Sequence, residues 1–255
     1  HINNLFIIWL MQVSVIASGS NGNCCLVEDK NAGILFDAGL SCREIEQRMN
    51  RIGKSLENVD AIVVSHSHTD HVRGAGVISR KYGIPVLATS DTCCEAAHYL
   101  GRNVKKFSAC QPFKIAGMKV LPVQTSHDVA SCGFVIGKFG IFTDTGTVTL
   151  QMLDALPSLD AVLLESNHDV DMLLQGPYPR FLKYRILGDA GHLSNFSASE
   201  LVQNYGIRLR HIFLGHLSSV NNTPDKAKET FKALVSRQVD FCVCSREKET
   251  GVWNI

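Results

Sequence analysis

Short apolar runs, broken by glycine-rich polar segments, alternate along the chain with stretches whose hydrophobic residues recur every three or four positions. The first pattern reads as strand and the second as amphipathic helix. Val13–Ala17 is a strand ending in the loop Ser18–Asn23, and Cys24–Val27 and Gly33–Phe36 flank a turn. Ser41–Ile52 places Ile45, Met49 and Ile52 on one helical face, with Ser41 as cap and Gly53 as stop. Ala61–Val64 is a wholly apolar strand that runs into the polar segment Ser65–His71. A helix is predicted over Val72–Tyr82, then a strand at Val86–Ala88 and a helix at Thr92–Leu100.

The second half repeats the alternation. Met118–Gln124, Cys132–Ile136, Gly140–Thr143, Ala161–Leu164, Ile212–Leu214 and Phe241–Ser245 read as strands. Val148–Ala155, Ser197–Tyr205 (capped by Ser194 or Ser197) and Pro224–Arg237 read as helices. No linker, repeat or low-complexity tract divides the chain. One α/β domain of two helix-covered sheets is therefore expected over residues 13–255. Residues 1–12 are expected to be an extension of processed or artificial origin. Their apolar run Leu5–Met11 has no preceding Lys or Arg, unlike a signal peptide.

Composition narrows this picture only a little. Of 255 residues 45% are hydrophobic, and 25 Lys and Arg balance 24 Asp and Glu for a formal charge of +1. That balance excludes disorder and gives no global basic field for nucleic acid. No apolar run reaches the roughly 18–20 residues of a membrane span, so no membrane partner is expected. The nine cysteines are odd in number, include the adjacent pairs Cys24–Cys25 and Cys93–Cys94, and form no C-x-x-C motif. They read as reduced thiols of a cytoplasmic protein.

The ten histidines change the picture more. His66-Ser-His68-Thr-Asp70-His71 directly follows the strand Ala61–Val64. In extended backbone His66 and His68 point to the same side. If a helix starts next, Asp70 and His71 project from its first turn. Two imidazoles facing one way, with a carboxylate and a third imidazole beside them, are a donor set for divalent metal. Three further candidates stand at strand ends: His127, Asp144 (in Phe142-Thr-Asp-Thr-Gly146) and His216 (in Leu214-Gly-His-Leu-Ser218).

This ordered set resembles the metallo-β-lactamase superfamily, whose pattern is H-x-H-x-D-H followed by a lone His, a lone Asp and a last His. The resemblance runs from Val13 onward and implies an αβ/βα four-layer sandwich. It implies two divalent ions (zinc or manganese, with iron allowed by the same donors). His66, His68 and His127 would hold one ion, and Asp70, His71 and His216 the other, with Asp144 between them. It also matches Asp37, in Phe36-Asp-Ala-Gly39, to an aspartate that supports the ligands from behind.

The same fold serves several chemistries, so the remaining site residues must decide between them. Leu163-Leu-Glu165-Ser-Asn-His168 is similar to the acidic strand-end motif of the nuclease branch, and Gly191-His192-Leu-Ser194-Asn195 resembles a segment of tRNA 3′-processing enzymes. In those enzymes the Glu and the His protonate the leaving group, which implies that role for Glu165 and His192, with Asp70 as a third catalytic residue. Ala17–Asn23, Glu165–Asp169 and Gly176-Pro-Tyr-Pro179 resemble the YycJ/WalJ group of bacterial proteins, regarded as DNA 5′→3′ exonucleases.

The expected function is thus a dinuclear metal phosphodiesterase using a metal-bound hydroxide on DNA. A small-molecule hydrolase of the same fold (cyclic phosphodiester, lactone or thioester) and a non-catalytic metal-bound binding protein are the alternatives. Ser194, Asn195, Arg180 and Lys183 are the candidate substrate contacts, and a solvated basic face is the other reading of the last two. His168 is open between a functional residue and a polar neighbour. His98 and His211 lie outside any motif. Nothing here indicates the oligomeric state.

Overall fold

The computed structural model describes residues 11–30, 32–109 and 111–255. The stretch of the predicted N-terminal extension before residue 11 therefore lies outside the described residues. The chain runs through β1 (Gln12–Ala17), β2 (Cys24–Glu28), β3 (Gly33–Phe36), α1 (Cys42–Arg51), β4 (Ala61–Val63), α2 (Thr69–Val72), α3 (Ala75–Tyr82), β5 (Val86–Ala88), α4 (Ser90–Glu95), α5 (Ala97–Leu100) and β6 (Val104–Lys106). Next come β7 (Phe113–Ile115), β8 (Met118–Gln124), β9 (Cys132–Ile136), β10 (Phe139–Phe142), α6 (Leu150–Ala155), β11 (Ala161–Glu165), α7 (Val170–Gln175) and α8 (Arg180–Leu187). The last elements are α9 (Asn195–Tyr205), β12 (His211–Gly215), α10 (Pro224–Leu234), β13 (Asp240–Val243) and β14 (Trp253–Asn254).

The strands form two mixed seven-stranded sheets, ordered β14-β1-β2-β3-β4-β5-β6 and β13-β12-β11-β10-β9-β8-β7. Between them lies an apolar layer drawn from both sheets, including Phe36, Phe134, Phe139 and Phe213. The Phe36 and Phe134 rings meet across it with centroids 5.1 Å apart. Burying each such ring contributes roughly 1.5–3 kcal/mol. The outer face of the first sheet packs on Ile45 and Met49 of α1 and Ile78 of α3. The outer face of the second packs on Met152 of α6, Leu201 of α9 and Phe231 of α10. The result is the four-layer αβ/βα sandwich. No helix among the described residues is long and apolar enough to cross a membrane.

In each sheet the parallel strands (β3-β4-β5-β6 and β10-β11-β12-β13) send their carboxyl ends to one edge. That edge is where open α/β sheets place ligands, because the loops leaving the strands converge there. Three non-glycine residues on these exits have positive φ: Asp37 (60°), Asp144 (56°) and His216 (56°). An L side chain held there costs of order 1–3 kcal/mol, and such strain gathers at functional sites.

Several elements differ from the sequence pattern. The helix predicted over Val72–Tyr82 is two, α2 and α3, broken at Gly74. The Gly74 amide leaves the helical ladder to donate to the Ala38 carbonyl at 2.7 Å, and a β-carbon there would lie 2.3 Å from the Leu40 carbonyl oxygen, so glycine is required where the chain passes Leu40. Residues 92–100 likewise split into α4 and α5. Helices α7 and α8 and strands β6, β7 and β14 were not foreseen. α8 buries none of its residues and so has no apolar stripe to read. Gln12, placed in the extension by the sequence reading, opens β1 and pairs with Asn254.

Candidate metal centre

Strand β4 delivers Ser65 and His66 in extended backbone, and α2 begins at Thr69 with His68 as its first flanking residue. This turn brings His66, His68, Asp70 and His71 to one place, with the His66 ring centroid 4.7 Å from that of His68 and 4.0 Å from that of His71. His66 Nε2 is 3.0 Å from His68 Nδ1, and His127 Nε2, carried by the loop after β8, is 3.3 Å from the same atom. On the other side His71 Nε2 and His216 Nε2 lie 3.6 and 3.8 Å from Asp70 Oδ2. Asp144 stands between the groups, 3.3 Å from His71 Nε2, 3.5 Å from His216 Nε2 and 3.8 Å from His127 Nε2.

The donor atoms fall into overlapping sets, each within 4.8 Å: His66, His68 and His127; His66, His71 and Asp144; Asp70, His71 and His216. All seven residues singled out as ligands in the sequence are brought together. Imidazole nitrogens 3.0 Å apart repel unless a proton or cation lies between them. Buried His216 Nε2 and Asp144 Oδ2 also lack a well-aligned hydrogen-bond partner. Histidine and carboxylate donors converging in this way fit divalent metal.

The far nitrogens of the His66, His71 and His216 rings are tied down, as is usual for metal-binding histidines, while His127 Nδ1 is buried without a partner. Asp37 accepts from the Ser65 amide (2.8 Å), the Ser65 hydroxyl (2.9 Å) and His71 Nδ1 (2.8 Å). The Ser65 hydroxyl also meets His66 Nδ1 at 2.9 Å. Glu165, fully buried at the end of β11, holds His216 Nδ1 at 2.7 Å and His192 Nδ1 at 2.8 Å through the same oxygen. Its other oxygen accepts from the Thr145 amide at 2.8 Å. Ser18 and Asn167 fix the His216 backbone from either side.

Charge follows from this packing. Burial opposes ionisation of Glu165, but His192 and His216 outweigh it and bring its pKa down to about 2. Burial likewise opposes protonation of His216, yet Asp144, Asp70 and Glu165 push it up to about 10. His71 is raised for the same reason, its burial outweighed by Asp144, Asp37 and Asp70. His66 is lowered by burial and by the neighbouring His71.

Other residues were not assigned roles from the sequence. The Asn23 side-chain amide contacts His71 Nε2 at 2.9 Å and Asp70 Oδ2 at 3.3 Å, and Asp128 lies 3.4 Å from His68 and 3.3 Å from His127. Only the residue following His127 in the chain could have signalled Asp128, and Asn23 was visible merely as part of a loop. A cleft of about 200 Å³ opens beside these groups, lined by His127, His192, Tyr178, Arg185 and Ser218 among others. The candidate substrate contacts Arg180 and Lys183 lie outside this lining; Arg185, which was not among the candidates, lies within it and pairs with Asp128. The Ser194 side chain caps α9 through the Ser197 amide. Asn195 is buried and bonded to Ser166 and Asn222.

Residues 17–156 match the sequence profile of the Metallo-beta-lactamase superfamily. The chain belongs to that superfamily. Exodeoxyribonuclease WalJ of Streptococcus pneumoniae serotype 2 (strain D39 / NCTC 7466) is 36% identical, covering 93% of this chain and 95% of that protein. Exodeoxyribonuclease YycJ of Bacillus anthracis is 35% identical, covering 86% of each. Among solved structures, the metallo-beta-lactamase fold protein YhfI from Bacillus subtilis superposes with a TM-score of 0.75 at 19% identity, covering 97% of this chain and 100% of that one. The short form of human tRNase Z superposes at 0.64 with 12% identity, covering 94% and 98%. These two share the fold. Within this superfamily member, Glu165, His192 and His216 lie beyond the matched residues; β11 and β12 of the second sheet deliver Glu165 and His216, and the segment between α8 and α9 carries His192.

One glycine tests how tightly the site is built. A β-carbon at Gly39 would lie 1.6 Å from the Asp70 carbonyl oxygen and 2.6 Å from the Asn23 amide. Those two groups are themselves hydrogen-bonded at 2.7 Å. Gly39→Ala is expected to destabilise the fold by about 3 kcal/mol or more, seen as a melting temperature lower by roughly 6–12 °C. Gly251→Ala, in open space, serves as the control. Equal melting curves for the two variants would contradict this packing.

Proposed function

We propose that the protein is a metal-dependent phosphodiesterase acting on DNA as an exonuclease. The observation that carries this reading is the Glu165 carboxylate, whose single oxygen holds both His216 of the metal cluster and His192 of the cleft. A phosphodiester leaves a sugar alkoxide that needs a proton, whereas a thioester releases a stable thiolate without one. A general acid fixed beside the metals therefore favours phosphodiester chemistry. The names of the WalJ and YycJ relatives support DNA as the substrate. A 5′→3′ polarity follows the resemblance of the loop and strand-end motifs to that group.

His66, His68 and His127 would hold one divalent ion and Asp70, His71 and His216 a second, with Asp144 serving both. Such ions activate water and offset the charge that builds on a phosphoryl group. The protein's own side chains do the rest. Asp37 and Glu165 orient the ligand imidazoles. Burial disfavours protonation of His192, but Glu165 outweighs it and raises the pKa. His192 therefore carries its proton into the cleft on Nε2, where it reaches the leaving oxygen. Free thiols at Cys24, Cys25, Cys93 and Cys94 are consistent with a reducing, cytoplasmic setting.

Assays of metal-loaded protein on duplex DNA, RNA, bis-p-nitrophenyl phosphate and a thioester test the substrate class. Release of nucleotides from DNA is expected, and thioester or lactone turnover without nuclease activity would overturn the reading. Metal affinity should also depend on pH. Without metal, His216 keeps a proton up to about pH 10, and a metal must displace it. Zinc affinity measured by competition is therefore expected to rise with pH across the neutral range. A pH-independent affinity would show that no proton is displaced.

A further inference from the structure

Helix α8 lies over the cleft without burying any of its residues. Its sequence, Arg180 to Leu187, holds three basic residues and no acidic one, in a chain whose overall formal charge is only +1. Phe181 is 73% exposed and Tyr184 64%. Three positions apart, the two rings share one helical face. Leu182, Arg185 and Ile186, on the other side, line the same cleft as His127 and His192. The connection to the site is direct, because the His192 amide donates to the Ile186 carbonyl at 3.0 Å. Exposed aromatic surface rimmed by charge marks an interaction site rather than a packing face.

Resting on the nuclease reading above, we propose that α8 is a stacking platform for the unpaired end of a nucleic-acid strand. Bases stack on Phe181 and Tyr184, phosphates meet Arg180 and Lys183, and the strand then descends to His192. The occupant is decided by chemistry. Inside a duplex both faces of each base are covered by neighbours and a blunt end bares only the outer face of its last pair, whereas an unpaired terminus offers successive separate bases for two aromatic rings to stack on. The basic residues complement a phosphate backbone. Arg180 lies 3.3 Å from the Tyr184 hydroxyl, which places a cation beside the ring on which a base would rest. Lys183 donates to the Leu174 carbonyl at 2.6 Å, which ties the platform to the end of α7. Arg185 is held by Asp128 and so belongs to the cleft.

Fluorescence anisotropy with the metal-loaded protein tests this, using phosphorothioate-linked duplexes, one blunt and others with a short 5′ or 3′ overhang. The wild-type protein is expected to bind an overhang roughly tenfold or more tighter than the blunt duplex, the scale of one stacked base. Phe181→Ala/Tyr184→Ala loses that preference, and Phe181→Tyr/Tyr184→Phe keeps it. As a second variant, Arg180→Glu weakens overhang binding and flattens its salt dependence. Unchanged overhang affinity in the alanine variant, or equal wild-type affinity for both ends, overturns the proposal. So does a wild-type dimer that the alanine pair dissociates while DNA binding persists, since the rings would then be a self-association face. Nucleotide release from unmodified duplex DNA by wild type reads the nuclease activity separately. If it is present while overhang binding ignores the rings, the platform falls and the nuclease reading stands; if it is absent, both fall.

Discussion

Asp144→Asn is expected to lower phosphodiester hydrolysis on the order of 10³-fold or more, with a matching loss of bound metal. Asparagine is the right probe because it is isosteric and tolerates the left-handed backbone that Asp144 adopts at φ 56°. The fold should therefore survive and only the charge be lost. That charge is central. The Asp144 carboxylate faces His71, His216 and His127, and His216 and His71 hold it well below the usual carboxylate range against the opposing effect of burial. A rate loss of this size is about 4 kcal/mol of transition-state stabilisation, the scale expected when metal catalysis is removed. Steady-state kinetics with metal content per chain provide the check. Wild-type rate and full metal content in the variant would remove Asp144 from the centre.

His192→Ala is expected to cost about 10²–10⁴-fold on DNA, the contribution of a positioned general acid. The same change should cost far less on bis-p-nitrophenyl phosphate, because nitrophenolate departs without a proton. That contrast separates proton donation from a structural role. A misplaced ligand would slow both substrates equally, since His192 and His216 share one oxygen of Glu165. Equal losses on the two substrates would assign His192 to positioning, and no loss on DNA would remove it from the reaction.

Much of this site was legible in the sequence because its residues sit where strands end. A short, wholly apolar run such as Ala61–Val64 or Ile212–Leu214 reads as a buried strand, and the polar residues that follow it then lie at the sheet edge. What was hidden depends on contacts between distant segments. Asn23 reaches Asp70 and His71 across the sheet, and Ser18 caps the His216 amide, but a loop rich in Ser, Asn and Gly announces only a turn. The break at Gly74 goes with its hydrogen bond to Ala38 and its approach to Leu40. Arg180 and Lys183 were visible as basic candidates, yet whether they face the cleft depends on a helix whose exposed face left no period to follow.

The proposed dinuclear centre requires one set of residues to hold two ions around a shared carboxylate, which anomalous diffraction from crystals of the metal-loaded protein can read out. Two peaks are predicted, one within bonding distance of His66, His68 and His127, the other of Asp70, His71 and His216, with Asp144 reaching both. A single peak, or peaks that leave His216 and Asp144 without a bond, would contradict it.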